Sequence, residues 1–186
     1  MAFQRTDPKL AVCIYPPAPQ LAVRIDRQGI ILPTGNGTLL LGAFLGFKEL
    51  FQAGITKKIP KIVAVQAANC APLFVAFTNN DSENIKKTFA ATVAEGIAIA
   101  DPVRQDEILR CVKECDGCFV AVTENEIAMA LQLMLDKGYL IEPTAAAAIA
   151  GAEKYLASSG TDEQIISVIT GHGLKAPDKV RSIIKD

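Results

Sequence analysis

The chain has 186 residues, half of them hydrophobic, and 19 Lys and Arg against 20 Asp and Glu give a formal net charge of −1. That length supports one domain with a full core, and interspersed charges of near-zero sum carry no footprint for nucleic acid or an anionic membrane. No apolar run reaches the roughly 18 residues of a membrane span, no signal-peptide layout opens the chain, and five cysteines, an odd number, read as reduced thiols of a cytoplasmic protein rather than a disulfide scaffold.

Residues 1–28 are the least regular part and read as an N-terminal arm, with residues 29–186 as one α/β domain. Within the arm, Leu10 to Tyr15 is a strand candidate stopped by Pro16, Pro17 and Pro19, and Leu21 to Ile25 is a weaker one. Gly29 to Leu32 reads as a short buried strand. The turn Pro33-Thr34-Gly35-Asn36-Gly37-Thr38 follows, then an apolar helix from Leu39 to about Phe51, closed by Ala53-Gly54. Apolar residues around most of that helix predict burial on more than one side. Lys61 to Val65 is a strand, Leu73 to Phe77 a short helix, and Asn79 to Ser82 a loop. Thr92 to Pro102 has the pattern of a turn with a short extended piece.

Arg104 to Cys115 predicts a helix with Ile108, Leu109, Val112 and Cys115 on one face. Cys118 to Val122 is a strand. Thr123 and Glu126 have capping-box spacing for a helix carrying Ile127, Ala130, Leu131, Met134 and Leu135 as its apolar stripe. Tyr139 to Ile141 is short and apolar. Pro143 opens an alanine-rich helix to about Ala157, and Ile165 to Thr170 is the last buried strand, ending in Gly171-His172-Gly173-Leu174-Lys175. Strands alternating with helices predict a three-layer α/β/α domain with a mostly parallel sheet. Ligands of such sheets bind beyond the carboxyl ends of the strands. Two polar glycine turns, Thr34 to Thr38 and Thr170 to Gly173, fall at such ends and are expected to converge on one crevice.

The first of these turns is open to two readings. A glycine turn from strand to helix leaves backbone N–H groups at the positive end of a helix, where phosphate is stabilised. Gly35 and Gly37 permit close approach, and Asn36 and Thr38 add side-chain donors. The same residues also suit a tight turn with Thr38 as N-cap. No Gly-Lys-Ser/Thr follows, and Gly42 is wrongly spaced for Gly-x-Gly-x-x-Gly, so neither common phosphate motif applies.

Pro33-Thr-Gly-Asn-Gly-Thr-Leu-Leu-Leu-Gly42, Gly46-Phe-Lys-Glu-Leu50, Pro60-Lys-Ile-Val-Ala-Val-Gln66, Val120-Ala-Val-Thr-Glu-Asn-Glu-Ile127, Glu142-Pro-Thr-Ala-Ala-Ala-Ala-Ile-Ala-Gly151 and Thr170-Gly-His-Gly-Leu-Lys175 occur in this order. Together they resemble the C-terminal, large-domain portion of threonine synthase, in the tryptophan-synthase-β-like class of pyridoxal-phosphate enzymes. The resemblance implies that Gly35, Asn36, Gly37 and Thr38 hold the phosphate of pyridoxal 5′-phosphate and that Thr170 faces its pyridine nitrogen. A neutral hydroxyl there implies a ring nitrogen left largely unprotonated. The implied reaction is O-phosphohomoserine and water to threonine and phosphate.

Members of that family run to about twice this length, and their N-terminal half supplies a substrate-binding domain and the Schiff-base lysine, in a Ser-x-Lys-Asp-like context. That context is missing: Lys9 lies in Asp-Pro-Lys-Leu and Lys48 inside the apolar helix. The expectation is therefore an incomplete lyase domain, inactive alone, that takes a phosphate ligand and forms a homo-oligomer or pairs with a complementing N-terminal chain. Three alternatives stand beside it: a non-catalytic phosphate- or cofactor-binding module, a related fragment of the cysteate-synthase or dehydratase kind, and a metal or cluster protein.

The last alternative rests on Cys111, Cys115 and Cys118, whose C-x₃-C-x₂-C spacing occurs in four-iron clusters. Two of the three fall on a predicted helix and one opens a strand, which favours plain thiols. His172 reads as a site-lining or structural residue before an acid–base group. Glu142-Pro143 reads as a helix start before a catalytic carboxylate. Asn69 and Cys70 are candidates for lining the crevice or for forming a turn.

Overall fold

The computed structural model describes residues 10–14, 29–79, 89–159 and 164–184. Five strands form one sheet: β1 Leu10–Ile14, β2 Gly29–Pro33, β3 Lys61–Ala67, β4 Cys118–Val122 and β5 Ile165–Ile169. Their order is β1-β5-β2-β3-β4, and every pairing is parallel. The described residues also form six α-helices: α1 Thr38–Gln52, α2 Pro72–Asn79, α3 Gln105–Glu114, α4 Glu124–Asp136, α5 Pro143–Ser159 and α6 Pro177–Ile184. The second strand candidate of the arm, Leu21 to Ile25, and the tip of the expected loop after Asn79 lie outside the described residues.

Successive side chains of a strand point to opposite faces, and both faces are covered. Ile31, Val63, Val65 and Ala67 pack with α4 and α5, whereas Leu32, Ile62 and Ala64 pack with α1, α2 and α3. The three-layer parallel architecture expected from the sequence is therefore present, and a sheet buried on both sides accounts for its unbroken apolar strands. Alanines bring α5 close to the sheet: Ala145 to Ala148, Ala150 and Ala152 are all buried. At Gly151 a Cβ would lie 2.4 Å from Val65 Cγ2, so only glycine lets the helix approach this far. The capping box on α4 forms as expected. Glu126 N donates to Thr123 Oγ1 at 3.3 Å, and Thr123 N donates to Glu126 Oε2 at 2.6 Å.

Three points correct or complete the sequence reading. Helix α1 buries a single stripe, Leu40, Leu41 and Phe44, while Leu39 and Leu45 remain 44% and 53% exposed beside Gly42 and Gly46. Its apolar content exceeds what the sheet and α3 can cover. Between Thr92 and Pro102 the expected turn is a 3-10 turn, Glu95–Ile97, from which Ala94 and Ile97 drop into the core. Helix α6 was not read from the sequence; it is short and buries only Val180 among its eight residues.

Candidate functional site

The chain leaves β2 toward β3 and β4 and later returns to β5 on the other flank of β2. That reversal opens a crevice beyond the carboxyl ends of β2 and β5, the usual ligand position in an open α/β sheet. A cleft of about 360 Å³ lies there. The two glycine turns meet in it as expected: Gly35, Asn36, Gly37 and Thr38 line one side and Thr170 another.

The β2–α1 turn is held from behind. Thr34 is buried, its N–H donates to Val65 O at 2.8 Å and its hydroxyl donates to Leu32 O at 3.1 Å. Fully buried Gln66 donates through Nε2 to Thr34 O at 3.2 Å and accepts from Phe74 N at 3.0 Å, so one amide ties the turn to α2. Gly37 is left-handed, φ +75°, and is the N-cap of α1; Thr38 is the first helical residue, so the reading of the turn that made Thr38 the cap does not hold. No side chain caps the helix and no acid sits in its first turn. The unpaired N–H groups and positive end of the helix dipole therefore face the cleft. A Cβ at Gly35 would come within 3.0 Å of Ile99 and 3.1 Å of Gly96 O, and one at Gly37 within 2.3 Å of Ile108 Cδ1. These glycines are required by the close approach of the 3-10 turn and α3 as well as by the backbone.

The opposite wall contains residues that sequence reasoning weighed otherwise or passed over. Glu142 opens α5 as a helix start, with Ala146 N donating to its carbonyl, yet its carboxylate lines the cleft. Oε1 accepts from Thr170 Oγ1 at 3.1 Å, and Lys175 Nζ stands 3.9 Å from Oε2. Thr144 Oγ1 accepts from Gly96 N at 3.2 Å and closes the floor. The only signal for Thr144 and Gly96 was their place in otherwise apolar segments.

The other candidates lie elsewhere. His172 is exposed, and its Nδ1 accepts from Leu174 N at 3.2 Å, a local cap on the 3-10 turn Gly173–Lys175. Asn69 donates to Ala91 O at 2.7 Å and Cys70 is buried; neither lines this cleft. Cys111 and Cys115 are buried thiols, and Cys118 lies half-buried on β4. Among the described residues no group of three His, Cys, Asp or Glu side chains could hold a metal ion. Burial pushes the Cys70, Cys111 and Cys115 thiols up in pKa, helped at Cys111 by Glu107 and Glu114. Lys48 pairs with Glu114 at 2.5 Å and lies over the Phe44 ring, away from the cleft. Lys9 lies outside the described residues. No lysine is among the described residues lining the cleft.

A parallel sheet with an uncapped helix end and a hydroxyl at its switch point is the framework of an α/β ligand-binding domain, and the sequence places it further. The family model for pyridoxal-phosphate dependent enzymes matches residues 17–171, and the chain belongs to that family. It is similar to the threonine synthases of Methanocaldococcus jannaschii, 36% identical over 80% of this chain and 38% of the relative, and of Methanosarcina acetivorans, 32% identical over 91% and 42%. Among solved structures, threonine deaminase isoform 2 from Solanum lycopersicum matches with a TM-score of 0.68 at 22% identity, over 87% of this chain and 44% of that one. Threonine synthase from Escherichia coli matches with a TM-score of 0.60 at 18% identity, over 86% and 36%. The chain thus spans about two fifths of the curated relatives it matches. The family's cofactor is pyridoxal phosphate. The glycine cradle and uncapped helix end fit its phosphate, and the Glu142–Thr170 pair offers polar contact in the same cleft. No helix among the described residues is long and apolar enough to cross a membrane.

Proposed function

We propose that this chain is the cofactor-phosphate half of a threonine-synthase-like lyase site. The observation that carries the reading is the uncapped α1 N-terminus behind Gly35 and Gly37, which shares one cleft with Thr170. In this reading the N–H groups of the turn and of the first turn of α1 bind the phosphate, helped by Asn36 and Thr38 side chains. Ile97 and Ile99 form the apolar part of the cleft wall and exclude water from it. Thr170 Oγ1 meets the pyridine nitrogen. When bound, the cofactor supplies an electron sink for charge developing on an amino-acid substrate. The naming of the sequence relatives favours O-phosphohomoserine and water going to threonine and phosphate.

That no lysine is among the described lining residues supports a second element: the amine that holds the cofactor covalently comes from a complementing polypeptide, which packs on the exposed α1 face around Leu39 and Leu45. Without that polypeptide, the same face draws copies of this chain together in sedimentation.

The test is a pyridoxal-phosphate titration followed by absorbance and fluorescence, then borohydride reduction and mass spectrometry. Expected is saturable binding with no lysine trapped, lost in Gly37→Asp and weakened in Asn36→Asp, an exposed position where added charge opposes phosphate without repacking. Circular dichroism separates lost binding from lost fold. One lysine trapped stoichiometrically would overturn the need for a complementing chain. No saturable binding would overturn the whole reading.

A further inference from the structure

The 3-10 turn Glu95–Ile97 is a wall of the cleft, with Gly96 and Ile97 among the lining residues. Three helices hold it. Glu124 Oε2 of α4 accepts from Val93 N at 2.8 Å just ahead of the turn, and Thr144 Oγ1 of α5 accepts from Gly96 N at 3.2 Å. Both of these helices are packed into the core. The third tie differs in kind: Glu95 forms an ion pair with Lys179 of α6.

Helix α6 is lightly held. Of its eight residues only Val180 is buried, with Ile183 half-buried against the same core and Ile184 44% exposed. A helix this short does not persist on its own and depends on its contacts. Lys179 stands in the first turn of α6, where the helix dipole favours an acid. Its charge therefore does nothing for the helix that carries it, and Glu95 is the group that offsets it. The other end of α6 is tied to the cleft by the chain itself. Thr170 lines the cleft, Gly171 O next to it accepts from Glu142 N at 3.0 Å, and Gly173 N donates to Leu140 O at 2.9 Å. The 3-10 turn Gly173–Lys175 then leads into α6 at Pro177. Helix α6 thus joins two walls of one cleft, by covalent chain on the β5 side and by one ion pair on the other.

We propose that Lys179 is a positioning residue which, by holding Glu95, fixes the Glu95–Ile97 wall against a ligand in the cleft, so that docking of α6 and occupancy of the cleft strengthen each other. This rests on the reading of the cleft given above. The coupling is reciprocal, because a ligand that favours docked α6 is favoured by it to the same factor. It is also small. The Glu95 side chain is 72% exposed and that of Lys179 33%, and a pair so open to water changes affinity by about two- to fivefold.

The test titrates pyridoxal phosphate into the full chain, into Glu95→Gln and Lys179→Gln, and into the exchanged pair Glu95→Lys with Lys179→Glu, followed by fluorescence. Each single variant is expected to bind about two- to fivefold more weakly than the parent, and the exchanged pair to recover most of the loss. Glu95→Gln is the decisive member, because removing an acid beside a phosphate site would by direct electrostatics tighten binding, whereas losing the tie to α6 weakens it. Amide hydrogen exchange over residues 178–184 reads the reverse direction. Saturating pyridoxal phosphate is expected to slow it in the parent and to leave it unchanged in Glu95→Gln. Unchanged or tighter binding in Glu95→Gln, an exchanged pair no better than the single variants, or α6 exchange in the parent that ignores the ligand would each overturn the proposal and leave the phosphate-site reading intact. Failure of the parent chain to bind pyridoxal phosphate would overturn both.

Discussion

Gly37→Ala is the sharpest perturbation of the site, because two separate costs meet at one atom. An L-residue at φ +75° is strained by roughly 1–2 kcal/mol. The added Cβ would also lie 2.3 Å from Ile108 Cδ1 and 2.5 Å from its Cγ1, and Ile108 is fully buried, so the overlap adds about 1–3 kcal/mol. Ile108→Ala alone opens a cavity in the α1–α3 layer and is expected to lose about 2–5 kcal/mol. In the double variant the overlap is gone, since the nearest remaining Ile108 atom is Cβ at 3.8 Å. Only strain and cavity remain, so the double variant should be more stable than the sum of the singles by about 1–3 kcal/mol. Ile108→Val keeps a carbon at the 2.5 Å position and should rescue little. Urea denaturation of all members, read at constant m, measures the coupling. Additivity within about 0.5 kcal/mol would refute the contact between the glycine turn and α3.

The remaining predictions concern α5, α4 and the thiols. Gly151→Ala, a change that in a free helix gains about 0.5–1 kcal/mol, should here lose about 1–3 kcal/mol, because its Cβ would meet both Val65 methyl groups, at 2.4 and 2.8 Å; a raised denaturation midpoint would contradict this. Thr123→Ala should cost about 1 kcal/mol by removing the α4 capping box. Burial pushes the Glu126 carboxyl up, but the Thr123 N–H, the Lys154 ammonium and the Thr123 hydroxyl outweigh it and the net pKa is lowered. Its contribution is therefore present above the unfolded carboxyl value and lost as pH falls through the folded one. Stability measured across mildly acidic pH should fall less steeply in Glu126→Gln than in the parent, and parallel curves would sink the assignment. Cys70, Cys111 and Cys115, whose pKa values are raised chiefly by burial, should react with Ellman's reagent at least roughly tenfold slower in the native than in the urea-unfolded chain. Rapid labelling of any of the three in the native chain would contradict their placement.

Local patterns carried far in this chain. The apolar runs at Gly29 to Leu32, Lys61 to Val65 and Cys118 to Val122 are legible as strands because a sheet covered on both faces leaves no position that must be polar. The Thr123–Glu126 spacing gives a helix start because capping is satisfied within one turn of chain. Motif order was enough to point to the family, and the family match over residues 17–171 agrees with it. The failures were also local in origin. Apolar content around α1 says nothing of which neighbour is present to cover it, and local spacing left two readings of the glycine turn open until Gly37 was seen as the left-handed N-cap.

What the chain determines by itself is thus the succession of elements and the chemistry each turn can offer: N–H groups at Gly35 to Thr38, a hydroxyl at Thr170. Which of these act together was decided only in three dimensions. Residues 35–38 and 170 meet because β5 inserts beside β2 after the chain has gone out to β4 and come back, a choice made by long-range strand pairing rather than by any local spacing. The hydrogen bond that Thr170 Oγ1 donates to Glu142 Oε1 is likewise tertiary. It depends on Glu142, 28 residues earlier, reaching the carboxyl end of β5 through a gap that Gly171 leaves open.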